Sequence, residues 1–310
     1  MSWSFSSVRR TVAIASIAAV FTTFNSIAFA NNPFAGAEGF NAVIFGNLNA
    51  TAGDTEGRLA VGGNLTASSY AVGPNAPADP SANSLVVGGN LNAMGGWQVF
   101  NGNTKYGGTL INAPSMVAPY TLQQASNVYD FAGRKSEFVS ISNALAGLAD
   151  NGSQLYQWTT YTLTGTSSGL NVFNVDAANW AAASNRIIDA PTGSTVLINV
   201  LGANGSLSNG MALQGGIDRT RVMFNYSEAT TLNFSNIAVE GSVLAPNAFL
   251  TLSGGNINGI SVLDGALTQN GGEFHNWTFN GSAPVPEPMT MIGMAAMASL
   301  VARRRLKKKS

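Results

Sequence analysis

The sequence has 310 residues, of which 45% are hydrophobic and only 10% charged, with 35 glycines and no cysteine. The absence of cysteine excludes thiolate catalysis and cysteine-ligated metal sites. The formal net charge of zero hides an uneven distribution, because both termini are basic while residues 31–283 carry seven Lys and Arg against fourteen Asp and Glu. Such an acidic body excludes nucleic-acid binding, which depends on clustered positive charge.

The first 30 residues predict a secretory signal peptide, which signal peptidase removes. The pair Arg9-Arg10 forms a positive start, and residues 11–21 form an apolar run. Ala28 and Ala30 occupy the small positions of an A-x-A cleavage site, so we expect cleavage before Asn31. An uncleaved N-terminal helix is the alternative.

The segment 284–310 combines three features in a fixed order. The motif Pro286-Glu287-Pro288 comes first, residues 288–302 predict a short apolar helix, and residues 303–309 form a basic end that includes Arg303, Arg304 and Arg305. The apolar segment is short for a transmembrane helix, which usually needs about 17–25 residues. Under the positive-inside rule the basic end stays in the cytoplasm and the body lies outside the inner membrane.

This tail resembles the PEP-CTERM sorting signal of Gram-negative bacteria that make exopolysaccharide. The resemblance implies that an exosortase recognises Pro286, Glu287 and Pro288 and removes the tail, so the inner membrane holds the helix only transiently. The mature protein would then reach the cell surface or the extracellular matrix of a biofilm. A plain C-terminal membrane anchor is the alternative.

Repeated sequence motifs in the body predict a β-solenoid (a β-helix). A short apolar run, a glycine turn and an asparagine recur at Asn47, Asn64 and Asn90, and the last gap holds a Pro-rich loop at 74–80. Short strands repeating with Gly and Asn at the corners are typical of solenoid coils. Further strands are expected at Val196–Val200, Val222–Phe224, Leu232–Phe234, Ser242–Leu244 and Ser261–Leu263. A β-sandwich gives similar local signals and stays open as the alternative.

One long α-helix is predicted from about residue 121 to 149, ending at Asp150-Asn151-Gly152. Its apolar residues recur at helical spacing, at Val128, Phe131, Phe138, Ile141, Leu145 and Leu148. We expect this helix to lie along the solenoid and to bury that stripe against it.

The body from about 37 to 280 resembles the choice-of-anchor A domain, so residues 31–283 are interpreted as one extracellular domain of that kind. The resemblance rests on the segment 40–64 at the start and on Gly241–Ala248, Asn258-Gly259 and Glu273–Asn276 near the end. That family joins one kind of body to alternative surface anchors, and its members are regarded as adhesins. The resemblance carries over no catalytic residue and no cofactor.

Few residues suggest chemistry. His275 is the only histidine and no G-x-S-x-G motif is present, so we expect His275 to be structural. Asp54 and Glu56 are weak calcium candidates, with a turn between coils as the alternative. A polysaccharide lyase or hydrolase is the rival enzyme hypothesis, with Asp218, Arg219 and Arg221 as its candidates if both arginines lie on one face of a strand.

Two residue types could form a binding surface. Exposed aromatic rings stack on sugars, and the candidates are Trp97, Tyr106, Tyr156, Trp158, Tyr161, Trp180 and Trp277, although core positions explain most of them. Regular threonine rows would favour ice binding, but the threonines are scattered along the sequence, at Thr51, Thr66, Thr109, Thr195 and Thr251.

The sequence therefore predicts an exported, non-catalytic adhesin of the cell surface or exopolysaccharide matrix, whose ligand is exopolysaccharide or another surface component. Signal peptidase and exosortase are the expected processing partners. A polysaccharide-processing enzyme and a purely structural matrix protein are the alternatives.

Overall fold

The computed structural model describes residues 29–285. Ala28 of the predicted cleavage site and the sorting residues Pro286, Glu287, Pro288 and Arg303–Arg305 lie outside the described residues, and the signal and sorting predictions stay predictions. The first strand, β1 (Phe29–Asn31), pairs antiparallel with the last, β24 (Ala283–Val285).

The body is a parallel β-solenoid, and the sandwich alternative is wrong. Eighteen of the described strands form one sheet that winds through successive coils, and every ladder within it is parallel. The sheets of a sandwich are antiparallel, and their strands do not stack on equivalent strands of the next coil.

The chain starts in the middle of the solenoid and coils outward to one end. β2, β4, β6, β9 and β12 stack on one face, while β3, β5, β7 and β10 stack on the next. These strands are β2 (Phe40–Ile44), β3 (Leu48–Thr55), β4 (Arg58–Val61), β5 (Leu65–Val72), β6 (Asn83–Val87), β7 (Leu91–Met94), β8 (Gln98–Val99), β9 (Asn103–Tyr106), β10 (Leu110–Asn112), β11 (Ser115–Met116) and β12 (Leu122–Gln124).

The predicted long helix exists but is shorter than expected. It is α1 (Phe131–Ala146), with the Asp130 carboxylate capping its first turn by accepting a hydrogen bond from the Gly133 amide. The predicted start near residue 121 is wrong, because Leu122–Gln124 continue the solenoid by pairing with β9. Apolar spacing alone could not separate this last strand from the helix that follows it.

Helix α1 carries the chain back to the opposite end, where coiling resumes inward. The elements there are β13 (Ser153–Gln157), β14 (Thr160–Thr164), β15 (Leu170–Asp176), α2 (Ala177–Ala182), β16 (Asn185–Asp189), β17 (Thr195–Leu201), β18 (Asn204–Ser208), β19 (Gly210–Gln214), β20 (Val222–Asn225), β21 (Thr231–Val239), β22 (Ser242–Asn258) and β23 (Ser261–His275). The predicted strands at Val196, Val222, Leu232, Ser242 and Ser261 all lie in this set. β23 closes the molecule by pairing with β2 and β3.

Each coil has three faces. The first strand of each coil forms the helix face, which lies beneath α1, and the second strand forms the open face. The remaining segment of each coil forms the third face, which includes the four-stranded sheet β13-β14-β16-β19. On the helix face a row of outward apolar residues, including Val43, Val262 and Leu197, packs on Phe138, Ile141 and Leu145 of α1. The predicted apolar stripe is therefore core.

A buried asparagine ladder also joins the helix face to α1. Asn225 Nδ2 donates to Asn199 Oδ1 at 2.8 Å, and Asn199 Nδ2 donates to Asn174 Oδ1 at 2.7 Å. The same amides donate at 2.9 Å to the α1 carbonyls of Ser142 and Leu145. Three successive coils thus present identical groups, two of which satisfy backbone acceptors on the helix.

Candidate binding face

The open face is a regular lattice of short polar side chains. Strands of successive coils lie about 4.8 Å apart, and outward residues alternate along each strand, so neighbouring coils place their side chains in columns. The register gives two columns. The first contains Ser206, Asn233, Thr251, Thr268, Asn49, Thr66, Asn92 and Asn112, and the second contains Ser208, Ser235, Ser253, Asn270, Thr51, Ser68 and Met94.

The columns are uncharged, the first across eight coils and the second across seven. Each of these side chains is exposed or partly exposed, and none is Asp, Glu, Lys or Arg. Neighbours within a column bond directly, as Asn112 Nδ2 does to Asn92 Oδ1 at 2.7 Å. With seven steps of about 4.8 Å, the face is roughly 34 Å long.

A stack of left-handed residues keeps the lattice straight. The corner between the open and third faces has positive φ in seven successive coils, at Asn209, Asn236, Gly254, Gly271, Ala52, Ser69 and Gly95. Identical corners give identical turns, so the strands on either side stay in register. Glycine and asparagine tolerate this conformation best, as the repeats predicted, whereas Ala52 and Ser69 adopt it at a cost.

The other corner of the open face is held by asparagine side chains. The backbone amides of Asn64, Asn90 and Thr109 each donate to the side-chain oxygen of the corner asparagine one coil away, at 2.7, 2.8 and 2.7 Å. The glycines before these asparagines leave no room for a Cβ, which at Gly63 would lie 2.3 Å from the Asn47 side chain. This explains the Gly-Asn repeat in physical terms.

The threonines are not scattered in space. Thr51, Thr66 and Thr251 meet on the open face, joined by Thr268, whereas Thr109 lies at the corner and Thr195 is buried. Threonines that are scattered along the sequence thus share one face, because coils of unequal length bring distant residues onto it, although Ser and Asn interrupt them in both columns. The missed signal was the polar residue two positions after each corner asparagine, at Asn49, Thr66 and Asn92.

The weak calcium candidates lie apart from this face, beside the only histidine. Asp54 pairs in register with Glu273, and the Glu56 carboxylate accepts the Asn276 amide at 2.9 Å, as the turn alternative expected. Burial, followed by the charges of Glu273 and Glu56, raises the pKa of Asp54 to about 6. Within residues 29–285 no group of three or more His, Cys, Asp or Glu is arranged to hold a metal.

His275 contacts other side chains through both ring nitrogens. Its Nδ1 lies 2.7 Å from Asn258 Oδ1 and its Nε2 lies 3.0 Å from Glu273 Oε2. The first contact joins β23 to β22 and the second lies within β23, which fits the predicted structural role.

The proposed lyase residues do not form the expected arrangement. Arg219 and Arg221 lie in a 3-10 turn rather than on one face of a strand, so that prediction is wrong. Arg219 Nε lies 3.1 Å from Glu240 Oε2 and its guanidinium stacks on Trp277, while Arg221 donates to the Gly193 carbonyl at 3.0 Å. Asp218 accepts two hydrogen bonds from Thr220, which lower its pKa.

The aromatic residues divide between core and surface. Trp97, Trp180 and Tyr161 are buried and Tyr106 packs against the core, whereas Tyr156, Trp158 and Trp277 are exposed. Of these, Trp158 is 87% exposed. The exposed rings lie off the open face, so they do not contribute to the polar lattice.

Comparison with protein families identifies the body. A family model described as "Putative Ice-binding-like adhesive domain" matches residues 33–276. The chain therefore belongs to this family of ice-binding-like adhesive domains. No curated protein matches the sequence. Within the described residues no helix is long and apolar enough to cross a membrane, and the apolar segment 288–302 lies outside them.

Solved ice-binding proteins are similar to this chain at low identity. One from the Antarctic ascomycete Antarctomyces psychrotrophicus is 16% identical with a TM-score of 0.33, covering 79% of this chain and 97% of that chain. A domain from Shewanella frigidimarina is 14% identical with a TM-score of 0.35 and the same coverages. One from an Antarctic biological consortium is 13% identical with a TM-score of 0.32, covering 79% and 91%.

Proposed function

We propose that this protein is an exported, non-catalytic adhesin that binds an extended surface ligand through its open face. The observation that carries the proposal is the lattice itself: one column of Ser, Thr and Asn over eight coils beside a second column of Ser, Thr and Asn that spans seven coils and ends in Met94. Such a face offers repeated hydrogen-bond donors and acceptors at fixed intervals, which suits a repeating ligand. Exopolysaccharide of the producing cell is the proposed ligand.

The termini supply the proposed route to the surface. A signal peptide ending at Ala30 would export the chain, and an exosortase would cleave near Pro286-Glu287-Pro288 after the basic end had stopped transfer at the inner membrane. β1 pairs with β24, so the described residues that adjoin the two proposed processing sites lie side by side. Membership of an adhesive family supports display outside a Gram-negative cell.

The test is retention of the full-length chain on exopolysaccharide from the producing organism. Asn233 and Ala238 are both exposed and lie on the same strand, but Asn233 belongs to the open face and Ala238 to the third face. We expect Asn233→Arg to reduce retention at least about tenfold, because the long charged side chain interrupts a flat uncharged column. Ala238→Arg is the matched control and should bind like the wild type.

The same retention assay distinguishes the alternative functions, provided that new sugar ends are also measured in it. New sugar ends appearing with time would show a polysaccharide-processing enzyme and overturn the adhesin. Equal retention of both arginine variants would remove the open face as the binding site. No retention by the wild type would favour a purely structural matrix protein.

Ice is a second candidate ligand for the same face. The two columns are uncharged and regularly spaced, and the chain belongs to an ice-binding-like family. Growth of single ice crystals in the presence of the wild type, Asn233→Arg and Ala238→Arg tests this ligand. Faceting of the crystals that is lost only in Asn233→Arg would support ice, and unchanged crystal growth would exclude it.

A further inference from the structure

The end of the solenoid formed by β13, β15 and β18 protects its open strand edges unevenly. The outer edge of β15 is closed by side chains that follow α1. Asn151 Nδ2 donates to the Leu170 carbonyl at 2.9 Å and Asn151 Oδ1 accepts the Val172 amide at 2.7 Å, while the Asp150 carboxylate accepts the Asn174 amide. This cap prevents a second strand from adding to β15.

The β18 edge is covered in a different way. Helix α2 packs against β18, and the buried Arg186 joins the two elements. Its guanidinium donates to the Trp180 carbonyl at the end of α2, at 2.6 and 3.0 Å, and to the Ser208 carbonyl at the end of β18, at 2.9 Å. Two of the three faces therefore end in dedicated caps.

The third face ends in β13, whose outer edge is open. β13 forms a two-residue hairpin with β14, in which Gln157 pairs with Thr160 and Leu155 with Thr162. In such a hairpin these residues exchange the ladder bonds, so the backbone groups of the alternate residues Gln154 and Tyr156 point outward. Within residues 29–285 nothing covers those groups, although the Gln154 side chain reaches across to β15.

The exposed strand carries no charge, and it presents apolar and aromatic side chains to solvent. Leu155 is 58% exposed and Tyr156 43%, and Trp158 at the hairpin tip is 87% exposed. Monomeric proteins blunt such edges with Lys, Pro or bulges, none of which occurs in Ser153–Gln157. An aromatic cluster on an open edge marks an interaction surface.

The hairpin tip is also strained in a way that keeps Trp158 in solvent. Trp158 and Thr159 both have positive φ, of 50° and 62°. This two-residue turn favours Asn and Gly, and a β-branched threonine in it is an outlier. Backbone strain of this kind is concentrated at functional sites, which indicates a function for the exposed Trp158 side chain.

We propose that the β13 edge is a self-association surface, on which β13 of a second copy of this chain adds antiparallel about a two-fold axis. An isologous pair needs no charge complementarity, which fits an uncharged strand. Because the free backbone groups belong to Gln154 and Tyr156, the axis lies near Leu155, and the two copies bring Leu155 together and shield Trp158. The open faces of both copies stay accessible, so dimerisation would make binding through the open face bivalent.

Sedimentation equilibrium of the full-length chain between about 5 and 500 µM tests the proposal, since a five-residue strand pair gives weak association. The wild type should show a concentration-dependent dimer. Leu155→Lys places like charges beside the axis and should weaken association at least about tenfold. Ile111→Lys is the matched control, because Ile111 is 57% exposed at the opposite end of the solenoid, and it should dimerise normally.

Acrylamide quenching, compared between the wild type and Trp158→Ser, reports burial of Trp158 separately. Quenching of Trp158 should fall as the dimer forms. A wild type that stays monomeric to the highest concentration overturns the proposal, as does a dimer weakened only by Ile111→Lys. A monomer whose Trp158 is shielded by added polysaccharide would instead make the edge a sugar-stacking site. These results do not depend on whether the open face binds exopolysaccharide.

Discussion

At the scale of single residues, the asparagine ladder is the most specific device in the fold. Asn199 lies at its centre, where it donates to Asn174 and to the Leu145 carbonyl and accepts from Asn225. All these groups are buried or nearly so, and a buried acceptor without its donor costs about 1–3 kcal/mol. The ladder therefore fixes the position of α1 along the solenoid as well as adding stability.

We expect Asn199→Leu to lower the free energy of unfolding by about 2–4 kcal/mol, because it removes the donor to Leu145 and both ladder bonds while adding apolar volume. Thermal or urea unfolding followed by circular dichroism measures the change. Asn49→Leu, on the exposed open face, is the control and should change stability by less than about 0.5 kcal/mol. Equal effects of the two substitutions would contradict a structural role for the ladder.

Asp54 provides a prediction about pH. Its pKa of about 6 in the folded chain exceeds its ordinary value of 3.8, so the folded state holds the proton more tightly than the unfolded state does. The carboxyl therefore costs stability progressively as pH rises from about 4 through 6. The full shift in the pKa of Asp54 corresponds to about 3 kcal/mol in the free energy of unfolding. Because Asp54 is partly exposed, we expect it to lower that free energy by only about 1 kcal/mol.

Asp54→Asn should accordingly raise the melting temperature at pH 7.5 and have little effect at pH 4, where Asp54 is protonated in the folded state. Melting curves of wild type and variant at both pH values give the difference directly. Glu228→Gln, an exposed carboxyl remote from Glu273 and Glu56, is the control. A gain of the same size at both pH values would refute the electrostatic explanation.

At the scale of elements, α1 acts as a strut across coils that are distant in sequence. Phe138 and Leu145 are fully buried between the helix and the helix face. Within α1, Arg134 forms an ion pair with Glu137. Lys135 instead pairs with Asp264 of β23, so this second ion pair joins the helix to the solenoid. Its position therefore depends on the apolar row beneath it and on the asparagine ladder.

We expect Phe138→Ala to lower the free energy of unfolding by about 3–5 kcal/mol, because the substitution leaves a cavity between the helix and the sheet that cannot collapse. Ser136→Ala, on the exposed side of the same helix, keeps helix propensity and serves as the control. Urea unfolding compares the two variants, and a loss below about 1 kcal/mol for Phe138→Ala would show that α1 contributes little to holding the coils together.

At the scale of the whole molecule, the chain closes on itself. β2 lies between β4, its equivalent strand in the next coil, and β23, which comes more than 200 residues later. The ends also meet, because Phe29 pairs with Val285. The molecule thus has one continuous interior although its halves are far apart in sequence, and we expect it to unfold as a unit.

This closure predicts that a circular permutant will fold. A two-residue Asn-Gly turn should join Ala283 to Asn31, the first residue after the proposed signal cleavage, since that pair is already in antiparallel register. New termini between Pro77 and Ala78 fall in an exposed loop between β5 and β6. We expect a single unfolding transition, with a melting temperature within about 5 °C of that of the unpermuted chain. Two separate transitions would show that the halves are independent domains.

The sequence by itself determined the class of the fold and several of its parts. Gly-Asn motifs around Asn47, Asn64 and Asn90 predict coils and corners, because the glycines leave room for the neighbouring coil and the asparagine side chains accept backbone amides of that coil. The spacing of Phe138, Ile141 and Leu145 predicts a packed helix. The absence of cysteine and the acidic body exclude whole classes of function. Each of these inferences depends on local chemistry, which a sequence records directly.

Only the tertiary structure decided which residues share a face. The coils differ in length, so Thr51, Thr251 and Asn233 occupy one lattice although no constant sequence interval connects them. The start of α1 and the open edge of β13 likewise depend on which strand finds a partner in another coil. Pairing between coils is a long-range property, set by backbone hydrogen bonds and core packing, and local spacing carries no record of it.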